Sequence, residues 1–549
     1  LELINDFSSI QSLPITTLPF SPLVNDYLLS KKSITDCFQS FEIPLKELLP
    51  IRLLQTQQYR SLLTAIFTQH IEAIPHSESQ KKSLQLFNDS NAAVIVTGQQ
   101  AAILGGPFYT WSKIAHAIVR AKQASEKLQY PVIPVFWLED NDHDAKEAGV
   151  AHWFDSFYDV QEIYFSSKRE TNTVISEMKL DESVEQFLEQ LIEQKNYPFT
   201  KEQLQTILEF HRNGLSVAHS FHQLVQASFK DSGLLILRSS DVRKLGGYTK
   251  ILIKEIENPH ITFETVQNET EKILSLGYDQ QVQPQKGQLF YHNGTKRNKI
   301  SINSENKYTF HSRTMIKEDF IGFFQQNPTS FSPSALLRLV SQDILLPSIE
   351  VIMGPGELSY AAQTKGLYEL FSVTQPKYVF RNHCVALFDS FVERTLQKEG
   401  KQLEWLFLSV KEMEEELFSE IEKEHGISEK FSAKKMQLAQ ELMGFYEEMI
   451  RNDPSMIGHY QSIQSKLSAL FTKSEKKVLA SFKRKNNIRM DKIRLISKLI
   501  HPKNRQQERL ISSAYYLIQY GIEEIGQRLV RSFEGKNERL FILSSLSPK

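Results

Sequence analysis

Between residues 94 and 110 the chain runs Val94-Ile-Val-Thr-Gly-Gln-Gln-Ala-Ala-Ile-Leu-Gly-Gly-Pro-Phe-Tyr-Thr110. Four β-formers, Val94–Thr97, lead into Gly98, a turn with two more glycines follows, and a long amphipathic stretch opens near Phe108. An unbroken short apolar run suits a strand buried on both faces, so the segment predicts strand, tight connection and helix N-terminus of an α/β sheet. Glycines let backbone N–H groups approach an anion, and the first helical turn offers unpaired donors at the positive end of its dipole. Beyond that helix, Val132-Ile-Pro-Val-Phe-Trp-Leu138 reads as a second buried strand and runs straight into Glu139-Asp-Asn-Asp-His-Asp144. Open α/β sheets take ligands at the carboxyl ends of their strands. Two such ends, one glycine-rich and one acidic with a histidine, predict the rim of an active site.

The α/β pattern recurs along the chain. Gly233-Leu-Leu-Ile-Leu-Arg238 reads as a third strand, with Ser239-Ser240-Asp241 placed to cap the next helix. A helix near 333–343, a strand near Ile349–Met353 and a helix opened by Gly354-Pro-Gly-Glu357 follow, then a strand Lys377-Tyr-Val-Phe380 ending at Arg381 and Asn382. The expected core is therefore discontinuous, 1–150 and 230–385, with a helix around 46–75. A mostly helical insertion is expected at 151–229. A small β-containing insertion is expected at 260–315, where Asn293-Gly294 signals a hairpin between Leu289–Tyr291 and Ile300–Ile302.

From 386 the pattern changes. Leu403, Leu406, Val410, Met413, Leu417 and Ile421 step by three or four, and Met456, Tyr460, Ile463, Leu467 and Leu470 repeat the habit. Gly426 and Asp453-Pro454 read as breaks between long helices, with Gly444 inside one. So narrow a stripe predicts a coiled-coil arm over 386–500 rather than a compact helical domain. The stripe needs a covering helix from the same arm or from a second copy, and a homodimer is favoured. Residues 501–549 are expected to pack back on the core.

Composition narrows the function classes. Acidic and basic residues number 65 and 64, without the basic surplus of a nucleic-acid binder. Two cysteines, Cys37 and Cys384, make a poor disulfide framework, and no apolar run reaches membrane-spanning length. The expectation is a soluble cytoplasmic protein that engages neither nucleic acid nor membrane.

Several motifs occur together: Thr97-Gly98-Gln99-Gln100, Gly105-Gly106-Pro107 with Thr110 and Lys113, Pro134-Val-Phe-Trp137 and Asp142-His143-Asp144. They continue with Phe331-Ser-Pro333, Leu336-Leu-Arg338, Gln342-Asp343, Leu346-Pro347, Gly354-Pro-Gly-Glu357 with Tyr360 and Gln363, then Pro502 and Gln507-Glu508-Arg509. In this order and spacing the set resembles the cysteine ligase (cysteine-adding enzyme) family of bacillithiol biosynthesis. The resemblance implies a Rossmann-like core of the nucleotidyltransferase type, connecting insertions, a dimerising coiled coil, and addition of cysteine to glucosaminyl malate. In one departure, Asn141 precedes Asp142 where many relatives carry an acidic residue.

Joining a carboxylate to an amine in water requires an activated acyl group, so ATP or ADP is the expected nucleotide, with Mg²⁺ as its companion. The Gly98–Gly106 turn suits the phosphates, with Thr97, Gly98, Gln99, Gln100, Gly105, Gly106, Thr110 and Lys113 as the candidate nucleotide site. A plain tight βα connection is the competing account. Asp142, His143 and Asp144 are the candidate catalytic residues: the histidine for acid–base or phosphate contact, the trio for Mg²⁺, or Asp144 simply as a helix cap. No spacing suggests zinc. Gln342, Gly354, Gly356, Glu357, Tyr360, Arg381 and Asn382 are the candidate substrate residues. Arg381 offers a bidentate grip on a malate carboxylate or phosphate, against a surface salt bridge as the alternative. Two other functions stay open: a ligase for a different amino acid, and a non-catalytic scaffold of a thiol-synthesis pathway.

Overall fold

The computed structural model describes residues 11–164, 172–193 and 201–544. They divide into two compact units, one of residues 1–388 with 505–549 and one of 389–504.

The first unit is built on a five-stranded, wholly parallel sheet. Its strands are β1 (Ala93–Gln100), β2 (Val132–Glu139), β3 (Leu235–Arg238), β4 (Ser348–Met353) and β5 (Lys377–Phe380), in the order β5-β4-β1-β2-β3. Val96 pairs with Val135 on one side and Val351 on the other, which fixes the register of the central strands. The apolar runs are unbroken because both faces are covered. Ala93, Ile95, Val132, Ile349 and Ile352 pack on Ala117, Ala121 and Ala124 of helix α1 (Tyr109–Leu128). Val94, Val96, Ile133, Val135 and Trp137 face Leu63, Ile66, Leu336, Leu337 and Val340. Small alanines on α1 let that helix approach the sheet closely. The strand order reverses between β1 and β4, and the glycine-bearing ends Gly98 and Gly354 open at that point. The predicted Rossmann-like fold is the fold observed.

The insertions differ in detail from the sequence expectation. The 151–229 segment opens with an antiparallel hairpin, Val150–Phe154 with Val160–Tyr164, before its helices; its residues 165–171 and 194–200 lie outside the described residues. The segment from 260 begins with a helix, Pro259–Ser275. The Asn293-Gly294 turn is present, but it closes directly onto Lys296, pairing Leu289–Asn293 with Lys296–Lys299. Ser239, Ser240 and Asp241 do not cap the helix that follows the strand, which begins at Ser239 itself and has none of their side chains accepting from its first turn. Instead the Asp140 carboxylate accepts from Ser240 N at 2.8 Å and Ser240 Oγ at 2.7 Å, tying β2 to the helix after β3.

Residues 505–544 belong to the core unit, as expected for the C-terminal segment; 545–549 lie outside the described residues. Arg539–Leu543 is the middle strand of a second sheet, antiparallel to Gln11–Pro14 and parallel to His383–Ala386. These three strands carry no local signal that the sequence reading detected.

The second unit contains helices α4 (Val410–His425), α5 (Ile427–Asn452), α6 (Met456–Lys485) and α7 (Asn487–Ile500). The predicted coiled coil is a helical hairpin. It reverses once, at Asp453-Pro454-Ser455, and α5 pairs with α6 while α4 pairs with α7. Gly426, at φ +58°, interrupts the helix without turning the chain back. Cross-hairpin contacts keep one antiparallel register along the arm: His501 with Leu406, His425 with Phe482, Phe431 with Phe471, and Tyr446 with His459. The seam residues Leu406, Met413, Leu417 and Ile421 are buried within the chain, beside Met490, Ile493, Ile496 and Leu499. Val410 is on the exposed side.

Candidate active site

A cavity of about 430 Å³ lies at the strand-order reversal, lined by the ends of β1 and β4 and by helices α2 (Ala335–Leu345) and α3 (Pro355–Ala361). Of the residues expected from sequence, it brings together Gly98, Gln99, Gln100, Gln342, Gly354, Gly356, Glu357, Tyr360 and Arg381. Those from the α2–α3 region and β4 converge because α3 starts where β4 ends, with Gly354 N donating to Glu357 Oε2 at 2.8 Å to close the first turn.

Beneath this surface sits Lys113. Its ammonium is fully buried, donates to both Glu357 oxygens at 2.8 and 2.7 Å and to the Gly98 carbonyl, and links α1, β1 and α3. Burial pushes the Lys113 pKa down, against the pull of Glu357. Lys113 is a buried support for the cavity rather than part of its lining. Thr97 plays a similar part, its hydroxyl donating to Ile352 O at 3.1 Å between β1 and β4. Thr110 is buried on α1, its Oγ1 without a partner among the described residues.

Gly105 and Gly106 stand elsewhere. Both have positive φ, and a Cβ on Gly105 would lie 2.9 Å from Ser513 Cβ and 3.0 Å from Trp111. Their carbonyls accept from Ser513, while the neighbouring Leu104 N–H donates to His211 Nε2 at 3.1 Å. This part of the turn is sealed by protein. Its glycines serve close packing of the 505–520 segment, and they do not form the phosphate cradle expected from the sequence.

The acidic loop is likewise tied to structure. Asp142 accepts from Arg297 at 3.0 Å and from Gln100, and Arg297 lies over the Phe290 ring at 3.7 Å. Burial opposes ionisation of Asp142, but Arg297 and Arg338 outweigh it and hold the carboxyl below its usual range. Asp142 therefore anchors the small β-insertion to the core. His143 packs against Phe290, and burial and Arg297 lower its pKa, leaving a neutral imidazole near pH 7. Asp144 caps Ala145–Ala148 by accepting from Lys146 N and Glu147 N. None of the three lines the cavity. Asn141 accepts from Arg243 Nε at 2.8 Å, a bond its amide makes without a carboxylate's charge.

Arg381 is no surface salt bridge. It is buried, its Nη2 is 2.7 Å from Glu508 Oε1, and its Nε, 3.6 Å from where a Gly354 Cβ would stand, has no hydrogen-bond partner among the described residues. Asn382 lies behind it, donating to Lys536 O and accepting from Arg539 N, so it joins the two sheets and does not face the cavity. Cys384 is buried and its thiol is pushed up by burial and Glu508, the state of an inert side chain.

Six polar lining residues were not among the candidates: Tyr109, Glu139, Glu147, Gln281, Arg338 and Arg509. Arg338 is 3.5 Å from Glu139; burial disfavours its charge, but Glu139 and Asp142 more than compensate. The signal was partly present, since Arg338 and Arg509 sit in the motifs quoted for the family and charged residues at strand and helix ends are rarely idle.

Fold and cavity define a Rossmann-like α/β enzyme core, carrying a β-insertion and a separate helical-hairpin unit. Residues 9–382 match the family described as bacillithiol biosynthesis BshC, N-terminal Rossmann-like domain, and residues 385–543 match its C-terminal coiled-coil domain. The chain belongs to the BshC family. It is 26% identical over 505 residues to the "Putative cysteine ligase BshC" of Chlorobaculum tepidum, covering 89% of each chain. The protein of that name from Bacillus cytotoxicus is 24% identical, covering 94% of this chain and 97% of its own. That from Salinibacter ruber is 25% identical over 81% of each. Among the described residues, no helix is long and apolar enough to cross a membrane.

Proposed function

We propose that this chain is the ligase that joins the carboxyl group of cysteine to the amine of glucosaminyl malate, with ATP activating the carboxyl, in the last step of bacillithiol synthesis. The observation that carries this reading is the mixed charge of a single cavity: its wall holds the guanidinium groups of Arg338, Arg381 and Arg509 and the carboxylates of Glu139, Glu147 and Glu357. A cavity serving only an anion or only a cation needs one sign. Phosphates and malyl carboxylates call for the arginines, with Gly354 and Gly356 leaving the backbone open to close approach. Substrate ammonium and amine groups call for the carboxylates. Trp137, Leu339, Val351, Met353 and Tyr360 supply apolar wall that excludes water from an activated acyl group. ATP supplies the leaving group that makes amide formation downhill. Among the described residues no group of three or more His, Cys, Asp or Glu is placed to hold a metal ion, so Mg²⁺ enters this reading with the nucleotide phosphates.

Mass spectrometry of products from glucosaminyl malate, ATP and an equimolar amino-acid mixture tests the reading. The expected product is the cysteine amide, one water lighter than the sum of its parts and formed only with ATP. An adduct of another amino acid, or no ATP-dependent amide, overturns it.

The reading includes a homodimer through the arm. Within one chain α5 and α6 leave Met436, Phe445 and Leu470 more than half exposed, at 62%, 63% and 60%. Large apolar side chains left exposed on both helices favour pairing with a second copy. Sedimentation is expected to give twice the chain mass of 63.4 kDa, and a Met436→Glu, Phe445→Glu double variant is expected to sediment as a monomer with its helix content intact. A monomeric wild type at micromolar concentration refutes the dimer.

A further inference from the structure

Two charged side chains of the cavity wall have no partner of opposite charge among the described residues, and they differ in sign. Glu147 lies on the short helix after the acidic loop, and Arg509 lies on the short helix Gln507–Leu510. The other charged groups of the wall are engaged: Glu357 with Lys113, Glu139 with Arg338, and Arg381 with Glu508. Glu147 and Arg509 both act on the phenol of Tyr109, from which Gln99 Nε2 stands 2.8 Å away. They therefore flank the same stretch of wall without forming an ion pair with each other.

Each is held in place from behind. Asp144 accepts from Glu147 N at 3.1 Å and fixes the helix that bears the carboxylate. Glu508, the residue before Arg509, is buried against Arg381 and accepts from Cys384 N at 3.0 Å. Both side chains are exposed to solvent, and each springs from a hydrogen-bonded backbone N–H, that of Arg509 donating to Gln506 O at 3.0 Å. Burial and the neighbouring Asp144 and Asp142 press against ionisation of Glu147, which a cationic ligand group would relieve. A guanidinium with a free fork suits a carboxylate in bidentate geometry.

We propose that Glu147 and Arg509 bind the amino-acid substrate as a zwitterion, Glu147 taking its ammonium group and Arg509 its carboxylate. The assignment rests on the ligase reading of this cavity and names the residues that recognise the amino acid. It has a chemical consequence. An ammonium held against Glu147 keeps its proton and has no lone pair, so the bound amino acid cannot serve as acyl acceptor for a second activated one, and the sugar amine is left as the nucleophile.

Calorimetry with the full chain tests this, using L-cysteine, 3-mercaptopropionate (no ammonium) and cysteamine (no carboxylate). The wild type is expected to bind L-cysteine about tenfold more tightly than either fragment, as charge-assisted hydrogen bonds require. Glu147→Gln weakens L-cysteine by about tenfold and leaves 3-mercaptopropionate unchanged. Arg509→Met weakens L-cysteine and 3-mercaptopropionate alike and leaves cysteamine unchanged, and Arg509→Lys restores part of the loss. Equal weakening of all three ligands by either variant, or L-cysteine binding unaffected by both, overturns the assignment, as does a wild type that binds no free amino acid with ATP present. The ligase reading fails separately. If serine or alanine binds as tightly as cysteine with the same dependence on both residues, the zwitterion site stands and the cysteine specificity falls. If the cysteine adduct forms but both variants keep the wild-type KM for cysteine, the ligase stands and the site falls.

Discussion

Replacing Glu508 by alanine lowers the stability of the core by about 3–5 kcal/mol, the usual cost of leaving one member of a buried ion pair alone. Arg381 and His383 both lie against this carboxylate, at 2.7 and 2.6 Å, and all three side chains are almost wholly buried. Burial opposes the charge of Glu508, but Arg381 and His383 outweigh it and hold the carboxyl down to about 2. The stabilisation is therefore complete above the unfolded-state value near ~4.3 and is lost as pH falls through the folded value. Urea unfolding of the variant at pH 7 measures the effect, and a loss below about 1 kcal/mol, the range of exposed ion pairs, sinks it. Because Arg381 lines the cavity and Glu508 precedes Arg509, the variant also loses ligand affinity under conditions where it remains folded.

Mild acid is expected to destabilise the core, three buried histidines outweighing the opposite slope of Glu255, whose carboxyl burial pushes up to about 7. His116, His211 and His292 are buried, and burial lowers their pKa values to about 3, about 4 and about 2. Their contacts suit neutral rings: His116 Nδ1 accepts from Asn382 N, and His211 Nε2 accepts from Leu104 N while Nδ1 faces Ile207 O at 2.8 Å. In the unfolded chain each takes a proton below pH ~6.5, so each contributes stability that is full above that pH and falls by about 1.4 kcal/mol per pH unit beneath it. The loss continues until the folded rings themselves titrate. Unfolding free energies measured between pH 7.5 and 5 test this. A flat profile across that range contradicts it, and His211→Gln, which keeps hydrogen-bonding capacity without the charge, should reduce the slope by one histidine's share.

The parallel sheet was readable from sequence because strands covered on both faces must be continuously apolar, and Val94–Thr97, Val132–Leu138 and Ile349–Met353 have little other use. The GPGE helix start was readable for the same local reason. The role of Gly105 and Gly106 was not: a glycine admits either an anion or another segment, and here Ser513, four hundred residues away, takes the space. Asp142 and His143 looked catalytic by type and position. Arg297, on a strand whose docking depends on long-range pairing, ties Asp142 to the β-insertion instead of leaving it to line the cavity. Glu147 and Arg509 carry no periodicity or spacing, and their shared wall exists only after residues 145–148 and 507–510 have both reached the sheet. In the arm, helical spacing showed that a seam exists but not which helix fills it, since the pairing of α4 with α7 depends on the reversal at Asp453-Pro454-Ser455.

Synthesis adds an order of events to the strand Arg539–Leu543. Chains emerge from the ribosome N-terminus first. The strands 11–14 and 383–386 are made early, yet neither pairs with the other; each pairs only with the strand between them, which is translated after the whole arm. Until then both leave open edges of backbone N–H and C=O groups, and Arg381 waits without Glu508. A ribosome stalled anywhere between 388 and 538 thus holds a chain whose sheet lacks its middle and whose edges invite pairing with other chains. The arm, interposed in sequence, sets the length of that exposed interval.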